Sequence, residues 1–335
     1  MKVGVIGAGA WGTALADLLA SKGEEVTIWA YEPEVAEQIN EYKDNRVYLP
    51  GAYLDKRLKA TSDLAQAVSG AQAVVMVTPS HQVRRVARLM GPDLDPRALV
   101  VSASKGIEAE SHLTMTSILK EVVGDRDNRL AVLSGPSFAR EVARRSPTAV
   151  TAASRREETA KKVQNLFMSD RFRVYTSTDV IGVELGGALK NVMAIAAGII
   201  TGLGLGANTQ AAMITRGLAE MSRLGVRLGA DPLTFSGLAG VGDLVLTCTS
   251  SQSRNQTVGV KLGQGMKLKE ILSGMKAVAE GVKTSLSAHQ LSRSAKVEMP
   301  ICEQIYRVVH QDADPKTAVG LLMTRGPKLE KWGLG

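Results

Sequence analysis

Over the first forty or so residues the chain alternates two hydrophobic patterns. Residues 2–6 and 25–29 are short, β-rich apolar runs, whereas 12–22 and 34–42 carry the spacing of amphipathic helices. Strand, helix, strand, helix predicts a parallel sheet with crossover helices. Further apolar runs at 73–77, 98–102 and 130–133 show no alternation, the pattern of strands covered on both faces. Helical patterns at 83–90 and 113–123 lie between them. A β-rich run at 147–151, a polar helix at 156–168 and a last strand signal at 172–175 follow. From Val180 onward the chain reads as helices with Gly-rich breaks, which predicts a boundary near Ser177. The expectation is therefore an α/β domain over 1–177, a doubly wound parallel sheet, followed by an all-helical domain over 178–335.

Residues 180–200 are apolar almost all round, which predicts a helix buried on every side. The stretch 191–215 has no formally charged residue and is long enough to cross a bilayer. However, Gly198, Gly202, Gly204 and Gly206 interrupt it, and Asn208, Thr209 and Gln210 would each need a partner in lipid. A buried core helix and turn is expected, with no membrane span.

Composition narrows the classes. With 335 residues and 44% hydrophobic content, two sizeable cores are expected. The net charge of +8 is spread along the chain without a basic block. That suits a solvated basic surface or a field for small anions better than a nucleic-acid interface. Cys248 and Cys302 form no ligand pair, and His81, His112, His289 and His310 are too far apart for a local zinc motif, so neither disulfide nor metal is expected. The N-terminus opens on a strand without the regions of a signal peptide, an expectation of the cytoplasm.

The first motif with chemistry is Gly7-Ala8-Gly9-Ala10-Trp11-Gly12, set between a buried strand and an apolar helix and followed by a second strand. In that setting G-x-G-x-x-G is the dinucleotide fingerprint of a Rossmann-like domain: one glycine for the tight turn, one for approach to the pyrophosphate, one for helix–sheet packing. The helix N-terminus offers N–H groups and a positive dipole end to the pyrophosphate. Past the second strand the chain reads Trp29-Ala30-Tyr31-Glu32-Pro33, without an Arg. Glu32 can accept from a ribose 2′-hydroxyl and would repel a 2′-phosphate, which favours NAD over NADP.

Ligands of an open parallel sheet collect beyond the carboxyl ends of its strands, where Ser104-Lys105-Gly106 and Ser134-Gly135-Pro136-Ser137-Phe138 fall. In the helical half, Lys190-Asn191 stands out within an apolar helix. A lysine buried there would have its pKa lowered towards the working pH and could serve as proton acceptor. An ion pair with Glu184 is the alternative. Further on, Gly240-Val241-Gly242-Asp243 presents one acid after a glycine-rich approach. In Ser253-Arg254-Asn255 a guanidinium fork is flanked by donors suited to phosphate; by composition alone that run could also be a solvated loop.

Together these motifs, with Ser104-Lys105-Gly106-Ile107-Glu108, Glu184-Leu185-Gly186-Gly187-Ala188-Leu189-Lys190-Asn191 and Val278-Ala279-Glu280-Gly281, resemble the bacterial NAD(P)-dependent glycerol-3-phosphate dehydrogenase family, in order and from end to end of the chain. The resemblance implies a Rossmann-like first domain, a helical second domain, a cleft between them and a cytoplasmic homodimer. It also implies interconversion of dihydroxyacetone phosphate and sn-glycerol 3-phosphate, feeding glycerophospholipid synthesis. It makes Lys190 the proton acceptor and places Lys105, Gly135, Ser137, Asn191, Asp243, Ser253, Arg254 and Asn255 around the substrate. Gly7, Gly9, Ala10, Trp11, Gly12, Tyr31, Glu32, Lys105, Ala139, Arg254, Val278 and Glu280 fall to the dinucleotide. Tyr31-Glu32 departs from the family pattern, since many NADPH-using members carry Arg there. The rival readings are another two-domain β-hydroxyacid dehydrogenase and a dinucleotide-sensing regulator without turnover, which would not need Lys190.

Overall fold

A computed structural model describes residues 1–125, 128–275, 278–327 and 329–330. The chain divides into two compact units, one of residues 1–104 and 115–180, the other of 105–114 and 181–335.

The first unit is built on an eight-stranded sheet, ordered β3-β2-β1-β4-β5-β6-β7-β8. Its strands are β1 (Lys2–Ile6), β2 (Glu25–Trp29), β3 (Lys59–Thr61), β4 (Ala73–Met76), β5 (Leu99–Ser102), β6 (Leu130–Ser134), β7 (Thr148–Ala153) and β8 (Phe172–Ser177). Helices α1 (Ala10–Ser21), α2 (Pro33–Tyr42), α3 (Leu64–Val68), α4 (Val83–Met90), α5 (Met115–Val123), α6 (Ala139–Ala143) and α7 (Glu157–Phe167) alternate with them. Every neighbouring pair is parallel except β6 and β7, which run antiparallel with Leu133 opposite Ala152. The predicted α/β class is borne out, and the antiparallel pair is a correction to an all-parallel sheet. The link from β6 to β7 holds only the five-residue α6, little for the crossover that a parallel pair needs. β3 has no counterpart among the predicted strands, because three residues are too few for a legible alternation. β4 and β5 are buried at every position, as unalternating apolar runs require.

The second unit is helical: α8 (Val180–Gly202), α9 (Ala207–Arg227), α10 (Pro232–Phe235), α11 (Asp243–Thr249), α12 (Arg254–Gly263), α13 (Leu268–Ser273), α14 (Glu280–Ser294), α15 (Pro300–His310) and α16 (Pro315–Met323). Around α8 gathers a core of Leu185, Leu189, Ile195, Leu224, Phe235, Leu244 and Val258. The 18-residue window of α8 that is apolar enough for a membrane span is wholly buried within the protein. Gly204, at φ +70, ends the helix in the left-handed geometry favoured just past a C-terminus. α8 and α12 pack glycine against glycine. A methyl on Gly198 would collide with the Gln256 carbonyl and come within 2.8 Å of the Gly259 Cα, and one on Gly202 within 3.0 Å of the Gly263 Cα. Residues 105–114 pack with this unit: Ile107 joins its core, and the Ser287 hydroxyl donates to the Ile107 carbonyl at 3.0 Å.

Candidate functional site

In the first unit the dinucleotide fingerprint closes the turn between β1 and α1. Gly7 adopts φ +120, and a Cβ there would lie 3.0 Å from the Val77 carbonyl oxygen. A Cβ on Gly12 would collide with the Gly7 carbonyl, so the third glycine is what lets α1 press on the strand. Around Gly9 the requirement is reversed. Nothing lies within 4 Å of where its Cβ would be, and this open backbone caps the N-terminus of α1, whose first turn carries no acid. The Trp11 indole N–H is buried with no partner among the described residues. An open glycine at a helix N-terminus beside an unspent donor fits the pyrophosphate of a dinucleotide.

The loop has a support that sequence spacing does not announce. The Asn45 side chain, fully buried, donates to the Ala8 carbonyl at 2.9 Å and to the Thr13 hydroxyl at 2.8 Å. Thr13 in turn donates to Ala8. Beyond β2, the exposed Tyr31 ring meets Trp29 edge-on at 6.2 Å, and the Arg85 guanidinium stands 5.9 Å from its centroid. Glu32 caps α2 through its backbone, and its carboxylate accepts from the Tyr48 phenol at 2.8 Å. That carboxylate and burial push the Tyr48 pKa above its usual value, burial being the larger cause. After β6, Gly135 takes φ +142, where a Cβ would lie 2.9 Å from the Val150 Cα, and Ser137 donates to the Gly135 carbonyl at 2.9 Å. Ala139 opens α6 and packs against the core of this unit.

The second unit holds the charged residues. Gly186 lies one turn before Lys190 on α8, and a methyl on it would collide with the Ala239 carbonyl, so Gly186 admits the glycine-rich 237–242 turn. That turn delivers Asp243, at the start of α11, to Lys190. One oxygen of Asp243 accepts from the Lys190 ammonium, and the other is 2.6 Å from Nζ of Lys105. Lys190 also donates to the Thr247 hydroxyl at 2.8 Å, which itself donates to the Asp243 carbonyl at 2.6 Å. The Asp243 side chain is 1% exposed, that of Lys190 10% and that of Lys105 17%. Two lysines thus share one carboxylate.

Burial is the main influence on the protonation of Lys190. Burial pulls its pKa down to about 8, assisted by Lys105 and opposed by Asp243. The partner of Lys190 is therefore Asp243. Glu184, six positions earlier on the same helix, is turned about 120° away by the helical repeat.

Ser253, Arg254 and Asn255 separate into three positions. Ser253 caps α12, its hydroxyl accepting from the Gln256 N–H. Asn255 is buried and links two helices, donating to the Asn191 side chain at 2.9 Å and accepting from the Gly281 N–H at 2.9 Å. Arg254 occupies the first turn of α12 with its side chain exposed. Glu280 opens α14 beside Gly281, and Val278 is exposed just before it. Within this unit the structure joins Lys105, Lys190 and Asp243 directly, and Asn191 with Asn255. Sequence reading missed Thr247 and Asn45, whose contacts to Lys190 and to the fingerprint turn span tens of positions, and Arg85, which belongs to no motif. Among the described residues no group of three His, Cys, Asp or Glu side chains could hold a metal ion.

Comparison with known proteins places the chain among its relatives. A model of the NAD-dependent glycerol-3-phosphate dehydrogenase N-terminus matches residues 2–160, and that of the C-terminus matches 179–320. The chain is 56% identical over 330 residues to a glycerol-3-phosphate dehydrogenase [NAD(P)+] of Citrifermentans bemidjiense, covering 98% of each chain. To that of Myxococcus xanthus it is 52% identical over 335 residues, covering 100% of each. The crystal structure of glycerol-3-phosphate dehydrogenase from Coxiella burnetii superposes with a TM-score of 0.92 at 41% identity, covering 96% of this chain and 98% of that one. With family models matched over both halves of the chain and relatives more than half identical along its length, the chain belongs to the NAD-dependent glycerol-3-phosphate dehydrogenase family.

Proposed function

We propose that the chain reduces dihydroxyacetone phosphate to sn-glycerol 3-phosphate, reversibly, with Lys190 exchanging the proton at the C2 oxygen. The observation that carries this reading is the buried Lys190–Asp243–Lys105 cluster. When bound, the nicotinamide supplies a hydride to the substrate C2, or accepts it in the reverse direction. In reduction the Lys190 ammonium gives a proton to the oxygen as negative charge develops there. In oxidation the neutral amine takes the proton of the C2 hydroxyl, and a pKa near 8 keeps both forms populated close to neutral pH. Asp243 and Thr247 hold Nζ in place, and Lys105 adds a second positive charge towards the developing oxyanion. Arg254 presents the fork for the phosphate.

In this reading Gly7, Gly9, Ala10, Trp11 and Gly12 cradle the dinucleotide, with Tyr31, Glu32, Ala139, Val278 and Glu280 as further contacts, and Lys105 and Arg254 serving both ligands. Gly135, Ser137, Asn191, Ser253 and Asn255 belong to the substrate side. The 1–177 domain serves mainly the dinucleotide and the 178–335 domain the substrate; Lys105 falls within 1–177 along the sequence and packs with the second unit. The protein works as a cytoplasmic homodimer whose product enters glycerophospholipid synthesis.

Absorbance of the reduced cofactor provides the test. Addition of dihydroxyacetone phosphate to protein and NADH or NADPH should produce its oxidation with equimolar glycerol 3-phosphate. Tight dinucleotide binding without turnover would instead identify a sensor. Light scattering on the purified protein checks the homodimer.

A further inference from the structure

We infer that Arg85, held over the Tyr31 ring, receives the adenosine 2′-phosphate of NADP(H), so that the dinucleotide site accepts both cofactors despite Glu32. The inference rests on reading the 7–12 turn as a dinucleotide cradle and concerns only its adenosine end.

In a sheet of this topology the adenosine ribose lies beyond the carboxyl end of the second strand, where an acid meets a free 2′-hydroxyl and a nearby Arg meets a 2′-phosphate. Here β2 ends at Trp29, and Tyr31 and Glu32 follow. β2 and β4 flank β1 on opposite sides, with the 7–12 turn following β1. Arg85 sits on α4, the helix after β4, and its guanidinium lies 5.9 Å from the Tyr31 centroid. It thereby reaches across from the β4 side to the position beyond β2, the place of an adenosine ribose.

Three features suit Arg85 to this task. Its Nε–H is committed to Gln82 at 3.0 Å, which fixes the plane of the guanidinium. Among the described residues no acceptor engages its two terminal nitrogens, the pair that grips phosphate in a forked manner. Its carrier ring, Tyr31, is 67% exposed, so the guanidinium approaches a ligand without first losing a buried partner. The Tyr48 phenol fixes the position of the Glu32 carboxylate but leaves its charge, which the Arg85 guanidinium offsets towards a 2′-phosphate. The positive charge beside the end of β2 comes from α4, the helix after β4, and not from the residues that follow β2.

Isothermal titration calorimetry with NADPH and NADH, without substrate, reads this directly. Arg85→Ala should weaken NADPH at least tenfold and leave the Kd for NADH within about twofold. Arg85→Lys should recover part of the NADPH affinity, since it restores the charge and lacks the fork. Glu32→Gln should tighten NADPH and leave NADH equal or weaker. Unchanged NADPH affinity in Arg85→Ala, or equal losses for both cofactors, would overturn the assignment of Arg85. Wild-type protein that binds neither dinucleotide would overturn the underlying cradle, and the assignment with it.

Discussion

Gly9 in the sheet unit and the facing glycines of α8 and α12 in the helical unit put the missing side chain to opposite uses. At Gly9 a side chain would meet nothing within 4 Å, so the bare backbone stands open at the N-terminus of α1. At Gly198, Gly202, Gly259 and Gly263 an added methyl would press on the backbone of the facing helix, and the bare backbone serves the chain itself. The polar residues divide in a parallel way. The fingerprint turn offers mostly backbone N–H groups and one indole N–H, whereas the helical unit buries two lysines against one aspartate. A cofactor whose reactivity is its own needs position from the protein, and a proton transfer needs a charged group with a tuned pKa. Substitutions in the first unit should therefore act on binding. Those in the second should act on turnover or on stability.

The sharpest test of that division is Lys190→Ala. Loss of the proton-transferring group should lower kcat by about 10²–10⁴-fold, while the dinucleotide Kd measured by calorimetry stays near the wild-type value. The pH dependence follows from the same group. Oxidation of glycerol 3-phosphate needs the amine, so its rate should fall about tenfold per pH unit below about 8 and level off above. Reduction needs the ammonium and should decline above the same value. A pH profile without that inflection in either direction would take Lys190 out of the mechanism.

Arg254→Ala tests whether the helical unit also holds the phosphate. The loss in kcat/KM for dihydroxyacetone phosphate should be about 2–5 kcal/mol, the scale of a broken charge pair, and unphosphorylated dihydroxyacetone should change little at saturating cofactor. Equal losses for the two substrates would show that Arg254 reads something other than phosphate.

The two kinds of glycine supply the smaller effects. Gly198→Ala gains up to about 1 kcal/mol in helix propensity, but the methyl forces α8 and α12 apart, and overpacking costs about 1–3 kcal/mol. Denaturant titration should show a net loss. Because α12 carries Arg254 and its Asn255 is bonded to Asn191, the same substitution should raise the KM for dihydroxyacetone phosphate. Gly9→Ala should alter folding stability by about 1 kcal/mol at most, the scale of a changed N-cap, yet weaken dinucleotide binding about tenfold. A stable Gly198→Ala, or a Gly9→Ala that unfolds rather than loses its ligand, would dissolve the contrast.

Different parts of this molecule were legible in the sequence to different degrees. Strands β1, β2, β4, β5 and β6, the fingerprint turn and the buried α8 were visible because each depends on neighbouring residues: a run of apolar side chains, a glycine spacing, a helix with no polar face. Lys190 was visible for the same reason, as a charge inside such a helix. The short β3 and the reversal of β7 were not, since three residues make no pattern and strand direction is absent from side-chain order. Also hidden was that residues 105–114, though following β5, pack with the helical unit.

By itself, then, the sequence determined two cores of different architecture, a dinucleotide turn and the residue types of the chemistry, because periodicity and local spacing express backbone geometry over a few turns or strands. Only the tertiary structure decided partnership. It gave Lys190 to Asp243 rather than Glu184, put Lys105 on the other carboxylate oxygen, set Thr247 beneath the ammonium, made Asn255 a link between helices and brought Arg85 to Tyr31. Each joins residues tens of positions apart. Coulombic and hydrogen-bonding energies depend on distances of a few ångströms in space, and along the chain those distances are fixed only once the cores have packed.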